Sequence, residues 1–189
     1  ITVKGRRLLE EADVIIYAGS LVDARHMDFA KDDANIYNSA TMHLDEVLDV
    51  MKKSHEAGKD LVRLHTGDPS VYGAIQEQMD ALAAWGIDYN VVPGVSSFSA
   101  AAASLKREFT LPGVSQTVIL TRRAGRTPVP EGESIDKLAA HGASMAIFLS
   151  AGQLEDLVED LKKGYSDDTP MAVVYKATWA DEIVVRSTL

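Results

Sequence analysis

The sequence has no cysteine among its 189 residues, which excludes a disulfide framework and any metal site built on thiolates. It has no apolar run of the roughly 20 residues that a membrane-spanning helix requires, and no signal-peptide pattern at its start. Its five histidines show no HExxH motif or comparable ligand spacing. We therefore expect no metal bound by the protein, no membrane partner and a location in the cytoplasm.

Positive charge is also scarce. The chain carries 19 Lys and Arg against 28 Asp and Glu, a formal net charge of −9. Nucleic-acid binding depends on many Lys and Arg contacts to phosphates, so this balance argues against a nucleic-acid partner. The content of 46% hydrophobic and 25% charged residues is typical of a globular protein with one large or two small domains.

Strand-like and helix-like segments alternate along the chain. Nearly continuous apolar runs predict buried strands, and apolar residues at helical spacing predict the helices between them. This alternation favours an α/β fold with mostly parallel strands. We expect two α/β lobes, residues 1–92 and 93–189. The strands are predicted over residues 13–19, 60–66, 87–94, 115–121, 144–150 and 171–177.

Two of these strands end in loops that are suited to a ligand. The strand "DLVRLHT" runs into Gly67-Asp68-Pro69, and "IDYNVVPG" is followed by Ser96 and Ser97. Ligands of open α/β sheets bind where strands end, glycine permits close backbone approach, and a carboxylate accepts hydrogen bonds from hydroxyl groups. The alternative is an ordinary turn, in which Asp68 or Ser70 only caps the next helix.

A basic segment stands out in this acidic chain. Between residues 106 and 126 five basic residues face the single acid Glu108: Lys106, Arg107, Arg122, Arg123 and Arg126. Arginine pairs with carboxylates in a two-pronged geometry, so the segment favours binding of a small polyanion. The alternative is a solvated loop with routine surface arginines.

Several motifs together resemble a known family. "VRLHTGDPSVYGAIQEQMDAL", "VVPGVSSFSAAAASL", "REFTLPGVSQTVILTR", "GRTPVPEGE" and "VYKATWADE" are similar to the precorrin-4 C(11)-methyltransferases of vitamin B12 biosynthesis. The GDP and VPG elements are shared by the wider tetrapyrrole methyltransferase superfamily, whereas "TLPxVSQTVILTR" and "GRTPVPE" select the C(11) branch. The resemblance runs essentially from Ile1 to Leu189.

The resemblance implies a cytoplasmic homodimer that uses S-adenosylmethionine, releases S-adenosylhomocysteine, and holds the cofactor in a cleft between two α/β lobes. The substrate is expected to be a tetrapyrrole with several carboxylates, bound by Arg122, Arg123 and Arg126. No general base is assigned, because the sulfonium methyl group is already electrophilic. The implied cofactor-binding residues are Thr66, Gly67, Asp68 and Val71 in the N-terminal lobe, Ser96 and Ser97 at the junction, and Leu149 and Ala177 in the C-terminal lobe.

Some alternatives stay open. His65, beside the GDP loop, is either a site residue or a core residue with a local backbone bond. The superfamily also includes enzymes that methylate other corrin carbons, RNA or a protein. The family has a first strand with a GxGPGD loop before the position of Ile1 and continues beyond Leu189. The resemblance thus implies missing ends, and with them the alternative of a non-catalytic cofactor-binding fragment.

Overall fold

The computed structural model describes all 189 residues and divides into two compact units, Ile1–Ser97 and Phe98–Leu189. The sequence placed the boundary between residues 92 and 93, a few residues earlier. The structural division falls inside a helix that follows the Val-Pro-Gly turn. No helix in the protein is both long enough and apolar enough to cross a lipid bilayer.

The first unit is built on a three-stranded parallel sheet in the order β2-β1-β3. Val14 of the central strand lies opposite an asparagine of β2 and a leucine of β3. Two short 3-10 helices flank β2. The elements are α1 Val3–Glu11, β1 Val14–Tyr17, β2 Asn35–Asn38, α2 Leu44–Glu56, β3 Leu61–Leu64 and α3 Gln76–Ala84.

The central strand β1 is buried on both faces. Ile15 packs with Leu9 of α1 on one face, and Ile16 packs with Val47 and Met51 of α2 on the other. Successive side chains of a strand point to opposite faces, so the unbroken apolar run of β1 fits a sheet that is covered on both sides. Burial of each isoleucine contributes roughly 1.5–3 kcal/mol to folding.

The second unit contains two separate strand pairs. The strands β4 and β5 are parallel, and β6 and β7 form an antiparallel pair. The core is formed by Ile135 and Ala139 of α5 with Leu157 and Leu161 of α6. The elements are α4 Ser97–Leu105, β4 Val118–Arg122, α5 Ile135–Ala139, β5 Ser144–Phe148, α6 Leu154–Leu161, β6 Pro170–Tyr175 and β7 Ile183–Thr188.

Five of the six predicted strands are present, and the strand predicted over residues 87–94 is wrong. That segment has no regular secondary structure. Pro93 has no amide proton, and the amide of Gly94 donates to the Asp68 carboxylate instead of a neighbouring strand. The sequence also missed β2 and β7. The β6–β7 pair is antiparallel because the connecting residues 176–182 are too few for a crossover helix.

Candidate functional site

The Gly-Asp-Pro turn follows the carboxyl end of β3. Gly67 has a φ of +61°, in the left-handed region that favours glycine. A Cβ atom at this position would lie 3.3 Å from the Cα atom of Ser96, so the two strand-end loops approach each other closely. The sequence placed Gly67 and Ser96 at similar loops, and the structure brings these two residues together.

Asp68 braces these two loops. Its Oδ1 atom accepts hydrogen bonds from the backbone N–H of Ser70 at 2.9 Å and from the Ser70 hydroxyl. Its Oδ2 atom accepts a 2.8 Å bond from the backbone N–H of Gly94. The hydroxyl of Ser70, followed by the two backbone N–H groups, holds the pKa of the Asp68 carboxyl below its usual value. The alternative that Asp68 or Ser70 caps a helix is wrong, because α3 begins only at Gln76, after Ile75.

Gly94 makes the contact between the loops possible. A Cβ atom on Gly94 would lie 1.9 Å from the carbonyl oxygen of Gly67, a distance that no side chain tolerates. Two residues beyond it, Ser96 is buried, and Ser97 is exposed at the start of α4. The first unit therefore presents Thr66, Gly67 and Asp68 beside Ser96 and Ser97.

Backbone strain marks the segment that follows Asp68. Tyr72 and Ala74 have φ values of 55° and 50°, although neither is a glycine. The Val71 amide donates to the Asp68 carbonyl at 3.1 Å, which closes the turn before these residues. Positive φ values at non-glycine residues cost free energy and cluster at ligand sites. The strained residues thus follow directly after the predicted cofactor-binding position Val71.

In the second unit the same strain occurs at one predicted cofactor-binding position, Leu149, and on both sides of the other, Ala177. Leu149, directly after β5, has a φ of 55° and a side chain that is 78% exposed. Ala177 lies between Lys176 with a φ of 50° and Thr178 with a φ of 75°. An apolar side chain that is held in a strained conformation and exposed to solvent is suited to contact with a ligand's apolar surface.

The loop around Ala177 is held by a network of polar contacts. Glu182 Oε2 accepts a 2.6 Å bond from the Thr178 amide and a 2.9 Å bond from the Ser104 hydroxyl of α4. Lys176 pairs with Asp181 at 2.6 Å. Glu182 thus fixes the strained backbone beside Ala177. Glu182 was not among the predicted site residues, because its partner Ser104 lies far away along the chain.

The three arginines predicted to bind substrate are not equivalent. Arg122 donates to the carbonyls of Thr127 and Pro128 at 3.0 and 2.9 Å. Arg123 pairs with Asp156 and Asp160, each at 3.1 Å. The guanidinium of Arg126 is exposed and has no partner in the structure. Two of the three guanidinium groups are therefore engaged within the protein, and Arg126 is the one that is free to receive an anion.

A fourth arginine, which was not among the predicted site residues, lies inside β3. Arg63 Nη1 donates to the carbonyls of Ile16 and Leu64 at 3.2 and 3.4 Å. Its Nε atom is buried and has no hydrogen-bond partner. Burial lowers the pKa of this guanidinium below its usual value. The available signal was an arginine in the middle of the apolar strand "LVRL".

His65 lies two residues after Arg63. Burial, together with the nearby charge of Arg63, lowers the pKa of His65 to about 4, so its imidazole is neutral at pH 7. No group of three or more His, Cys, Asp and Glu side chains in the protein is arranged to hold a metal ion.

Comparison with known proteins identifies the family of this chain. Residues 1–189 match the family described as Tetrapyrrole (Corrin/Porphyrin) Methylases. The chain belongs to this family. A cobalt-precorrin-4 C(11)-methyltransferase of Methanocaldococcus jannaschii is 57% identical over the whole chain, which spans 73% of that relative. A precorrin-4 C(11)-methyltransferase of Pseudomonas aeruginosa is 47% identical over the whole chain, which spans 75% of that relative.

A solved structure gives the same result for the fold. The structure of a cobalamin biosynthetic enzyme, cobalt precorrin-4 methyltransferase, matches the whole chain with a TM-score of 0.96 at 49% identity, and the chain covers 79% of it. The predicted resemblance to tetrapyrrole methylases and the predicted α/β methylase fold are confirmed.

Proposed function

We propose that this chain is an S-adenosylmethionine-dependent methyltransferase that methylates C(11) of precorrin-4 or cobalt-precorrin-4 in cobalamin biosynthesis. The observation that carries the proposal is the 57% identity, over the whole chain, to a relative named for this reaction. The structural match to a cobalt precorrin-4 methyltransferase also supports it.

The residues present fit the cofactor. Gly67 and Gly94 keep side chains away from the two loop tips, where a Cβ atom would meet backbone. We propose that Thr66, Gly67, Asp68, Val71, Ser96 and Ser97 of the first unit bind the cofactor. Leu149 and Ala177 of the second unit also bind it, Leu149 through its strained and exposed position and Ala177 through a backbone held between two strained residues.

The chain's own contribution to the reaction is to orient the reactants. When bound, S-adenosylmethionine supplies a sulfonium methyl group to a nucleophilic ring carbon, so no protein nucleophile is needed. Braced loops such as the pair held by Asp68 lose little entropy when a ligand binds, and orientation of two reactants supplies roughly 7–11 kcal/mol of a barrier. We therefore assign binding and orientation to the named residues, and acid–base chemistry to none.

Binding of the tetrapyrrole carboxylates requires positively charged side chains on the protein. Arg126 is our first candidate, because its guanidinium has no partner within the protein. Arg122 and Arg123 remain part of the proposal, but each must give up contacts to carbonyls or carboxylates before it binds substrate. We also propose that the enzyme is a cytoplasmic homodimer, which sedimentation equilibrium tests by a mass twice that of the chain.

The proposal is tested by incubating the chain with labelled S-adenosylmethionine and either precorrin-4 or its cobalt form, followed by mass spectrometry of the tetrapyrrole. A product that is heavier by one methyl group supports the proposal, and the faster of the two substrates is the physiological one. Binding of S-adenosylhomocysteine without transfer to either substrate would reject this substrate class and leave the cofactor assignment intact.

A further inference from the structure

Arg63 is a cation without a counter-ion. It lies in β3, opposite Ile16 of the central strand, and no carboxylate of the protein pairs with it. Only one of its three guanidinium nitrogens, Nη1, has partners, and both are neutral backbone carbonyls. A charge that is removed from water costs free energy unless an opposite charge compensates it. The lowered pKa of Arg63 reflects this uncompensated burial.

The free edge of this guanidinium has a definite geometry. Nη1 is occupied, and Nε and Nη2 have no hydrogen-bond partner. Nε is sealed from solvent, whereas Nη2 is not. Nε and Nη2 point along the same edge of the planar group. This edge is one of the forks that bind both oxygens of a carboxylate.

The position of Arg63 in the sheet is that of a ligand-binding residue. It lies near the carboxyl end of β3, three residues before Thr66, at the edge where parallel sheets bind ligands. The neighbouring His65 is neutral and adds no second positive charge at this edge. No side chain of residues 1–189 supplies the missing negative charge, and a ligand anion bound at this edge would supply it.

We infer that Arg63 binds a carboxylate through its Nε–Nη2 edge when the enzyme is loaded. The inference rests on the proposed function. It adds Arg63 to the three arginines, Arg122, Arg123 and Arg126, that were predicted to bind substrate carboxylates. The carboxylate has two possible sources, an acetate or propionate of the tetrapyrrole and the amino-acid end of S-adenosylmethionine.

The first measurement is thermal stability. Loss of an arginine that stabilises the fold lowers the melting temperature, whereas loss of an arginine that serves ligand binding does not. Arg63→Met removes the uncompensated charge and keeps most of the stem volume, so we expect the melting temperature to fall by about 2 °C or less. Arg123→Met is the matched comparison. It breaks contacts to Asp156, Asp160 and Gln153, and we expect a clearly larger fall.

Calorimetric titration then measures three ligands on the wild type and on Arg63→Met. These are S-adenosylhomocysteine, 5′-methylthioadenosine, which lacks the carboxylate, and cobalt-precorrin-4. We expect the variant to bind one of the two carboxylate ligands roughly 10- to 100-fold more weakly. That ligand identifies the source of the carboxylate. Binding of 5′-methylthioadenosine should stay within about twofold of the wild type, because it offers Arg63 no carboxylate.

Two results would overturn the inference while the proposed function stands. One is unchanged binding of all three ligands, and the other is an equal loss for 5′-methylthioadenosine, which would indicate a general distortion. A wild type that binds neither S-adenosylhomocysteine nor cobalt-precorrin-4 would reject the proposed function itself. If Arg63→Met does not fold, Arg63→Lys replaces it. Lysine keeps the charge but loses the fork, so it too should weaken the carboxylate ligand more than 5′-methylthioadenosine.

Discussion

Replacement of Asp68 by asparagine tests whether the carboxylate braces the two loops. In the structure Oδ1 accepts both bonds from Ser70, and Oδ2 accepts the bond from the Gly94 amide. Asparagine has nearly the same shape but only one accepting oxygen. If that oxygen stays with Ser70, the amide NH₂ group faces the Gly94 N–H, and two donors oppose each other.

The magnitude follows from the bonds that are lost. A hydrogen bond to a charged group contributes about 1.5–3 kcal/mol, and the two bonds that remain become neutral and weaker. Asp68 is only half-buried, and contact with water lowers the net effect. We therefore expect Asp68→Asn to lower the free energy of unfolding by about 1–2 kcal/mol. Binding of S-adenosylhomocysteine should weaken by at least about tenfold, because the loops lose their fixed spacing.

The assay is urea unfolding of the wild type and the variant, combined with calorimetric titration of S-adenosylhomocysteine. Ser70→Ala is the control, because it removes one donor to Oδ1 and leaves the bond between Asp68 and Gly94 in place. We expect Ser70→Ala to bind the ligand nearly as well as the wild type. The reasoning is refuted if Asp68→Asn matches the wild type in both measurements, or if Ser70→Ala loses as much binding as Asp68→Asn.

Three further predictions concern single residues. Gly94→Ala should lower the free energy of unfolding by about 2–4 kcal/mol in urea titrations, because its Cβ would meet the Gly67 carbonyl. The control Gly132→Ala places a Cβ in open space and should change this free energy by less than about 0.5 kcal/mol. Equal effects of the two variants would contradict the close contact at Gly94. His65 has a pKa of about 4 in the folded chain against an ordinary 6.5, so the unfolded chain takes up its proton first as the pH falls. About 1–3 kcal/mol of the free energy of unfolding should therefore be lost between pH 6.5 and pH 4. Unfolding measured across this pH range should show that His65→Gln removes this part of the loss. An unchanged pH profile in the variant would show that His65 is not its cause. Arg126→Ala should weaken tetrapyrrole binding by roughly tenfold and leave S-adenosylhomocysteine binding intact in paired titrations, and an equal loss of both would contradict its role.

Elements that depend on local pattern were predictable from the sequence. The apolar run of β1 predicted a strand buried on both faces, and Ile15 and Ile16 are fully buried on opposite sides of the sheet. Apolar residues also recur at helical spacing along α2, where Val47 and Met51 are buried and Leu44, at the first position of the helix, is exposed. Periodicity encodes burial directly, so such elements need no knowledge of the rest of the chain.

Features that depend on distant partners were not predictable in the same way. Residues 87–94 have the β-branched and aromatic composition of a strand, but a strand also requires a neighbour with free backbone groups. The charge of Arg123 suggested a ligand, yet its guanidinium is engaged by Asp156 and Asp160 of α6. Arg63 is the opposite of Arg123, because it is buried and no carboxylate pairs with it. The sequence alone does not reveal that a buried cation lacks a partner.

The most direct test of the account is to locate the transferred methyl group. S-adenosylmethionine carrying a ¹³C-methyl group is incubated with the protein and cobalt-precorrin-4 or precorrin-4, and the product is examined by carbon NMR. The account predicts one labelled methyl group, attached at C(11) of the macrocycle. A labelled methyl group at another ring carbon, or no transfer by a protein that binds S-adenosylhomocysteine, would contradict it.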